Sequence, residues 1–464
     1  MSTSLEPQVP AAGRDRGAGP LRVALAGFGT VGRAVARALV ETPPSGPLPV
    51  ELVCIFDRHV DRKREGWVPA RVAWTDQVDR VFADDVDVVV ELVGGLGDAR
   101  AWVERALDSG RPVVTANKQL VAEHGPALEA RAAATGAALR FEAAVCGGVP
   151  VVNAIRTGLR GDAIHRLAGV LNGTANHVLT AMERDGRSLD AALAEAVEQG
   201  LAEADPSADL GGDDARAKLR ILAREALGVE VEAGGIPCAG LDGLAGVDFR
   251  YGARLGCTIR QVAWIGRDGG RVVGAVGPML VPRTSPLASV AGRDNLLITW
   301  GRRAGPTRFA GRGAGGDATA VAVVSDLLQL ATRGANRQPA APAVPAVPAV
   351  PVALDGDGAL PRYLRVTVSD RPGILAALAG AFGRRGINVD AVLQEPGYPK
   401  AGLPFVVTLE ACAAGPLDRA LDDIRAADFH VVPPLALPIF DCGQDPIPLR
   451  PEHVRAGTTR SDEP

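Results

Sequence analysis

Six residues constrain this chain more than any other feature. Gly27-Phe28-Gly29-Thr30-Val31-Gly32 follow directly on the apolar stretch LRVALA and open the helix-forming run VGRAVARALVET. In a G-x-G-x-x-G between strand and helix, the first glycine permits a tight turn and the second lets a pyrophosphate approach the backbone. The third allows close helix–strand packing, with the helix N-terminus facing the anion. A second apolar stretch, VELVCIF, ends at Asp57, 25 residues beyond Gly32. An acid there accepts from the ribose 2′-hydroxyl of NAD. Arg58, with Arg62, Lys63 and Arg64 close by, offers the alternative of a 2′-phosphate. The reading leans to NADP and leaves NAD open.

The same alternation continues. VDVVVELVG and RPVVTAN read as buried strands separated by the helical DARAWVERALDSG, and ALRFEAAV follows another Ala-rich helix. Strands alternating with helices predict an α/β, Rossmann-type doubly wound parallel sheet over residues 21–154. Residues 155–333 mix helices (189–201, 214–227) with later strands such as RVVGAVGPMLV, which predicts a second, α+β domain. Its last helix, 318–332, is expected to pack back on the first domain. Prolines 342, 345, 348 and 351, at every third position, predict a polyproline II spacer within a 334–361 linker, at roughly 3 Å per residue. Residues 362–442 spell β-α-β-β-α-β, a ferredoxin-like unit. Residues 1–20 and 443–464 lack periodicity and read as disordered.

Composition excludes several classes. A net charge of −4 leaves no broad cationic face, so neither nucleic acid nor an anionic membrane is an expected partner. Six scattered cysteines without a Cys-x-x-Cys pair suggest a reduced, cytoplasmic protein. No apolar signal region opens the sequence, and no run of about 18 apolar residues suggests a membrane span. Of the 50 basic residues only four are lysines: Lys63, Lys118, Lys218 and Lys400. A lysine retained against that bias supplies what arginine cannot, a compact amine able to release its proton.

Two of these lysines fall in suggestive places. Ligands of doubly wound sheets bind beyond the carboxyl ends of the strands. Glu91-Leu-Val-Gly94-Gly95 and Thr115-Ala-Asn117-Lys118 lie at two such ends, which puts Lys118 near the nicotinamide rather than on a helix surface. Further on, Glu203, Asp205, Asp209, Asp213 and Asp214 crowd a stretch with Pro206 and paired glycines, read as a loop. Asp214 and Lys218 then stand at i, i+4 at the start of a helix. Alone, that spacing reads more readily as a structural ion pair and N-cap; beside a dinucleotide loop and with lysine so scarce it suggests acid–base chemistry, with the carboxylates facing a substrate ammonium. Cys146 raises a rival, a thiolate nucleophile, but His124, His165 and His177 sit in no recognisable nucleophile motif.

In order and spacing, Gly-Phe-Gly-Thr-Val-Gly32, the Glu91–Gly95 segment, Val-Val-Thr-Ala-Asn-Lys118 and Glu142-Ala-Ala-Val-Cys-Gly-Gly-Val-Pro150 resemble homoserine dehydrogenases. So do Leu-Asn172-Gly-Thr174, Ala-Glu203-Ala-Asp-Pro and Asp214-Ala-Arg-Ala-Lys218, the match covering roughly 21–330. Residues 362–440, with Ser369-Asp370-Arg371-Pro372-Gly373, resemble the ACT domain often appended to that family.

The resemblance implies reversible conversion of L-homoserine to L-aspartate 4-semialdehyde with NADP or NAD, in threonine, isoleucine and methionine synthesis. It implies Lys218 as the acid–base residue, with Lys118 beside substrate and nicotinamide. Glu203 and Asp214 would hold the substrate amine and orient the lysine, and Thr174 and Asp209 would complete the substrate site. Gly27 to Gly32, Asp57, Arg58, Gly94, Thr115, Lys118 and Gly315 would line the cofactor. Glu142 and the carbonyls of Val145, Gly147 and Val149 would bind a monovalent cation, sodium or potassium. Asp370, Pro372 and Gly373, with Asn388, would receive an amino-acid effector, threonine by resemblance. A homodimer or homotetramer is implied. The chain departs from the family pattern at Leu201 and His177, where tyrosines are usual, and at Ala318, where proline is.

Overall fold

The computed structural model describes residues 19–41, 49–202, 205–268, 270–333, 352–353 and 360–442. Glu203, the proline-spaced stretch 342–351 and the two terminal segments read as disordered fall outside them, apart from 19–20. The chain forms two compact units, one of residues 1–161, 220–228 and 309–348, the other of 162–219, 229–308 and 349–464.

In the first unit the elements run β1 (Leu21–Ala26), α1 (Thr30–Val40), β2 (Val50–Phe56), α2 (Val60–Lys63), β3 (Ala73–Thr75), β4 (Val88–Glu91) and α3 (Gly97–Asp108). There follow β5 (Val113–Thr115), α4 (Lys118–Thr135), β6 (Leu139–Arg140) and α5 (Val151–Asn153). The six strands form one sheet in the order β3-β2-β1-β4-β5-β6, every pair parallel. Strands covered on both faces need apolar residues at every position rather than alternate ones. β4 (Val-Val-Val-Glu) is accordingly buried throughout. The carboxyl ends of β1, β2, β4 and β5 bring Gly27, Asp57, Glu91 and the Thr115–Lys118 turn to one edge. As expected, the late helix belongs here: Val35 and Ala36 of α1 share an apolar cluster with Ala320, Val323, Leu327 and Leu330 of Gly316–Arg333.

The second unit holds β7 (Ile164–Val170), α6 (Gly173–Asp185), α7 (Leu189–Glu198), α8 (Ser207–Leu210), α9 (Asp213–Leu222), α10 (Gly246–Arg254), β8 (Cys257–Asp268) and β9 (Arg271–Pro282). β10 (Asp294–Gly301) and β11 (Gly305–Arg312) complete a sheet ordered β11-β10-β7-β8-β9-β12, and α11 is Gly316–Arg333. The chain passes between units within α9 and within β11. Two expectations change. The acidic stretch read as a loop contains the single helical turn α8, started by Asp205, whose carboxylate accepts from the Ser207 amide at 3.1 Å. The stretch read as a plain linker includes β12 (Val352–Ala353), which adds to β9 in parallel.

The ferredoxin-like unit comprises β13 (Leu360–Val368), α12 (Ile374–Gly383), β14 (Val389–Gln394), β15 (Leu403–Cys412), α13 (Ala414–Arg425) and β16 (His430–Pro438). Its sheet runs β14-β15-β13-β16, and β13 begins two residues before the predicted boundary at 362. Successive residues of a strand face opposite ways. Leu364 and Val366 pack under α12 and α13 with Leu378, Phe382, Leu417 and Leu421. Tyr363, with Val406 and Leu437, instead joins a cluster containing Val178 and Met182 of α6, Ala192 of α7 and Phe249 and Tyr251 of α10. Both faces of this sheet are therefore covered, the second by the substrate-domain helices.

Candidate functional site

The cofactor loop has the geometry its glycines require. Gly27 has φ +108°, and a Cβ on Gly32 would lie 2.2 Å from the Gly27 carbonyl oxygen. A Cβ on Gly29 would meet nothing within 4 Å, so this exposed cradle has room for a pyrophosphate. Gly29 is the N-cap of α1 and offers no side chain to its first amides, those of Thr30 and Val31. These are features an incoming diphosphate would use. Phe28 is part of the core: its ring packs edge-on against Trp74 at 4.9 Å, and its amide donates to Asp57 at 3.0 Å. Asp57 also accepts from the His59 amide at 2.9 Å and from Lys63 Nζ at 2.7 Å. Burial alone would raise the Asp57 carboxyl, but Lys63 and the two amides hold it below its ordinary value. Arg58 pairs with Asp98 on the surface. Gly315, at φ +116°, leads into Gly316, whose Cβ would stand 3.0 Å from the Thr30 carbonyl oxygen. The late glycine turn thus adjoins the cofactor loop.

At the ends of β4 and β5 the structure adds residues that sequence reasoning missed. Glu91, fully buried, accepts from the amides of Val93 and Gly94 at 2.9 Å each and from the Thr115 hydroxyl at 2.6 Å. Thr115 Oγ1 also accepts from the Asn117 amide at 3.0 Å. The Thr115 hydroxyl is thus an internal brace at the carboxyl end of β5, buried and bonded to both Glu91 and the Asn117 amide. Asn117 caps α4 through Leu120 N at 3.1 Å and ties the Gly95 carbonyl at 2.6 Å. Lys118 is the first residue of α4, half-buried at the helix N-terminus rather than out on its surface.

The Glu142–Val149 segment is a tight turn with Cys146 at φ +57° and Gly147 at +51°. Cys146 is 1% exposed, so its thiol is not presented to a substrate and the thiolate reading has no support. Glu142 accepts from the amides of Val152 at 3.0 Å and Asn153 at 2.6 Å, and its own amide donates to Asp326 at 2.9 Å. Burial first, and the nearby Asp326 carboxylate second, push the Glu142 carboxyl up to about 7, against the opposing Asn153 amide. Among the described residues no group of three His, Cys, Asp or Glu side chains forms a metal cluster.

In the second unit, Lys218 and Asp214 meet as the i, i+4 spacing predicts, Nζ to Oδ2 at 2.7 Å, with side chains 11% and 7% exposed. Lys218 Nζ also donates to the Leu171 carbonyl at 2.8 Å, which takes a second bond from Asn295 Nδ2 at 3.1 Å. Asn172, fourth member of this group, was visible only as part of a motif. Its Nδ2 donates to Asp209 at 2.6 Å and Asp214 at 2.8 Å, while its Oδ1 caps α6 through Ala175 N at 2.7 Å. Asp209 is held in turn by Gln261, which donates to its carbonyl at 2.9 Å. Thr174 donates to the Leu201 carbonyl at 3.3 Å. Leu201 packs against the α6–α7 apolar cluster, a purely hydrophobic role. Glu203 lies outside the described residues.

In the ACT-like unit, Asp370 to Gly373 do form the strand-to-helix turn, with Gly373 at φ +94°. Asn388 does not join them. It donates to Glu410 at 2.8 Å beside the Arg362–Leu409 pair, whereas Asp370 follows the Val368–Leu403 pair. Six residues of strand, about 20 Å, separate the two ends.

The glycine cradle of the first unit, with an acid at the end of β2, is a dinucleotide-binding site, and the family matches that follow make the chain an NAD(P)-dependent oxidoreductase acting on a CH–OH group. Three family models match in succession: "Homoserine dehydrogenase, NAD binding domain" over residues 27–142, "Homoserine dehydrogenase" over 150–328 and "ACT domain" over 362–429. The chain is 37% identical to the homoserine dehydrogenase of Corynebacterium glutamicum, across 87% of this chain and 92% of that one. The crystal structure of a homoserine dehydrogenase from Thiobacillus denitrificans superposes with a TM-score of 0.83 at 32% identity, covering 91% of this chain and 98% of that one. A hyperthermophilic archaeal homoserine dehydrogenase in complex with NADPH gives 0.58 at 27% identity, covering 69% and 100%. The chain belongs to the homoserine dehydrogenase family. No helix among the described residues is long and apolar enough to cross a membrane.

Proposed function

We propose that the chain interconverts L-homoserine and L-aspartate 4-semialdehyde with NADP or NAD, within threonine, isoleucine and methionine synthesis. The observation that carries this reading is the buried Lys218 amine, fixed by Asp214 and the Leu171 carbonyl. A bound nicotinamide supplies the hydride acceptor or donor. Lys218 removes the hydroxyl proton in alcohol oxidation and returns it to the carbonyl oxygen in reduction. Asp214 orients that amine, while Asp209 and Glu203 attract the substrate ammonium. Lys118 serves at the nicotinamide end, and Lys63 with Arg58 supports a 2′-phosphate, favouring NADP.

The Glu142 carboxylate with the Val145, Gly147 and Val149 carbonyls would hold a monovalent cation and brace the turn below Gly313, whose carbonyl abuts Gly147. The Asp370–Gly373 turn is the part of the ACT domain suited to an amino-acid effector, threonine by family. The working form would be a cytoplasmic homodimer or homotetramer. The test is a spectrophotometric assay with homoserine and each nicotinamide cofactor. Lys218→Arg keeps the charge but should lose about 10²-fold or more in kcat, the usual worth of a placed acid–base group. Near-normal turnover in that variant removes Lys218 from the role.

A further inference from the structure

We propose that Asn172 is a positioning residue for the acid–base pair, its one amide holding both Asp209 and the Asp214 oxygen that Lys218 uses; this rests on the acid–base reading above. Asn172 is 3% exposed, at the junction of β7 and α6. Its amide orientation follows from its partners, since the oxygen faces the Ala175 N–H and the nitrogen faces two carboxylates. All its hydrogen-bonding capacity toward this site is thereby committed. One Nδ2 hydrogen goes to Asp209, on the substrate side; the other goes to Asp214 Oδ2, the same oxygen that accepts from Lys218.

Two physical consequences follow. The first is spatial: a single amide nitrogen bonded to both acids draws them together, although like charges would otherwise spread. The second concerns the proton. Asp214 Oδ2 accepts from Asn172 and Lys218 together, so loss of the amide would leave its whole charge to the ammonium. Besides Asp214, the charged group bonded to Asn172 is Asp209 from α8, while Asp213 on α9 is paired with Arg216 at 2.6 Å and Arg220 on α9 with Glu123 at 3.2 Å.

The test separates bridging from capping. Asn172→Ser preserves an N-cap oxygen for α6, serine being among the preferred caps, but its single short hydroxyl cannot span both carboxylates. Asn172→Asp also preserves the cap, is isosteric, and puts a third carboxylate against the pair. The rising limb of the kcat/KM–pH profile for homoserine oxidation is expected to move up by about one unit in Asn172→Ser and further in Asn172→Asp, a roughly tenfold loss below the limb that recovers above it. Weakened folding would scale activity equally at all pH, so thermal melts run alongside. If Asn172→Ser does not fold, the isosteric Asn172→Asp decides. A limb that stays at the wild-type position in the folded variants overturns the proposal. Lys218→Arg is the reference: a limb surviving in it defeats the acid–base reading, whereas a Lys218-dependent limb unmoved by Asn172 defeats only this inference.

Discussion

Asp248 and Arg365 give the sharpest energetic prediction. Asp248, in the first turn of α10, is fully buried and accepts from Arg365 Nη1 at 2.6 Å, the Tyr363 hydroxyl at 2.8 Å and the Ala245 amide at 2.8 Å. Burial pushes its carboxyl above the ordinary value even though Arg365 pulls it down. Arg365→Met keeps most of the stem and removes the charge, leaving a buried carboxylate with two neutral donors. Breaking such a pair costs about 3–5 kcal/mol, or roughly 10 °C in Tm for a unit of this size. The pH dependence has a definite sign. A carboxyl whose folded pKa is raised adds stability that is fully present below the unfolded value, near 3.9, and lost as pH rises through the folded one. Removing Arg365 raises that folded pKa further, so the penalty should be small near pH 5 and large near pH 8. Asp248→Asn added to Arg365→Met should restore more than half of the loss. Calorimetric melts of the full chain at both pH values provide the measurement. A loss below about 1 kcal/mol, or one equal at both pH values, would refute the assignment of a paired buried charge.

Two further outcomes are expected. Gly32→Ala forces a Cβ to within 2.2 Å of the Gly27 carbonyl, so the loop must open and NADPH affinity, read by fluorescence titration, should fall at least about tenfold; an affinity within threefold of wild type would contradict the geometry. Deleting residues 360–442 uncovers Tyr251, Leu244, Trp264 and Leu280, so the shortened chain should bind a hydrophobic dye and aggregate; a monodisperse, dye-silent product would show that this face needs no cover.

What the sequence revealed is what depends on local period. Glycines at fixed offsets, unbroken apolar strands and the β-α-β-β-α-β pattern each follow from a chain's immediate neighbours, and so does the Asp214–Lys218 spacing on one helix. The missed residues act over distance. Asn172 is legible as a helix cap, since it precedes α6, but its two carboxylate partners stand 37 and 42 residues away. Glu91 braces Thr115 across 24 residues, and the sequence offered only a polar residue at a strand end. Asn388 was expected beside the Asp370–Gly373 turn; antiparallel register sends the two to opposite ends of the sheet.

β13 shows why composition along one strand misleads. In YLRVTV the even positions Leu364 and Val366 are apolar and the odd ones, Tyr363 and Arg365, polar. That alternation ordinarily marks a strand with one wet face. Here the second face is dry, because Tyr363 and Arg365 find Asp248 on α10, and Tyr251, about one turn further along α10, donates to the Pro404 carbonyl at 3.0 Å. Polar side chains on a buried face are tolerable only when each has a partner. The pattern that looks like a detachable domain's solvent face is therefore an interface, and β13 cannot shift against α10 without unpairing a buried carboxylate.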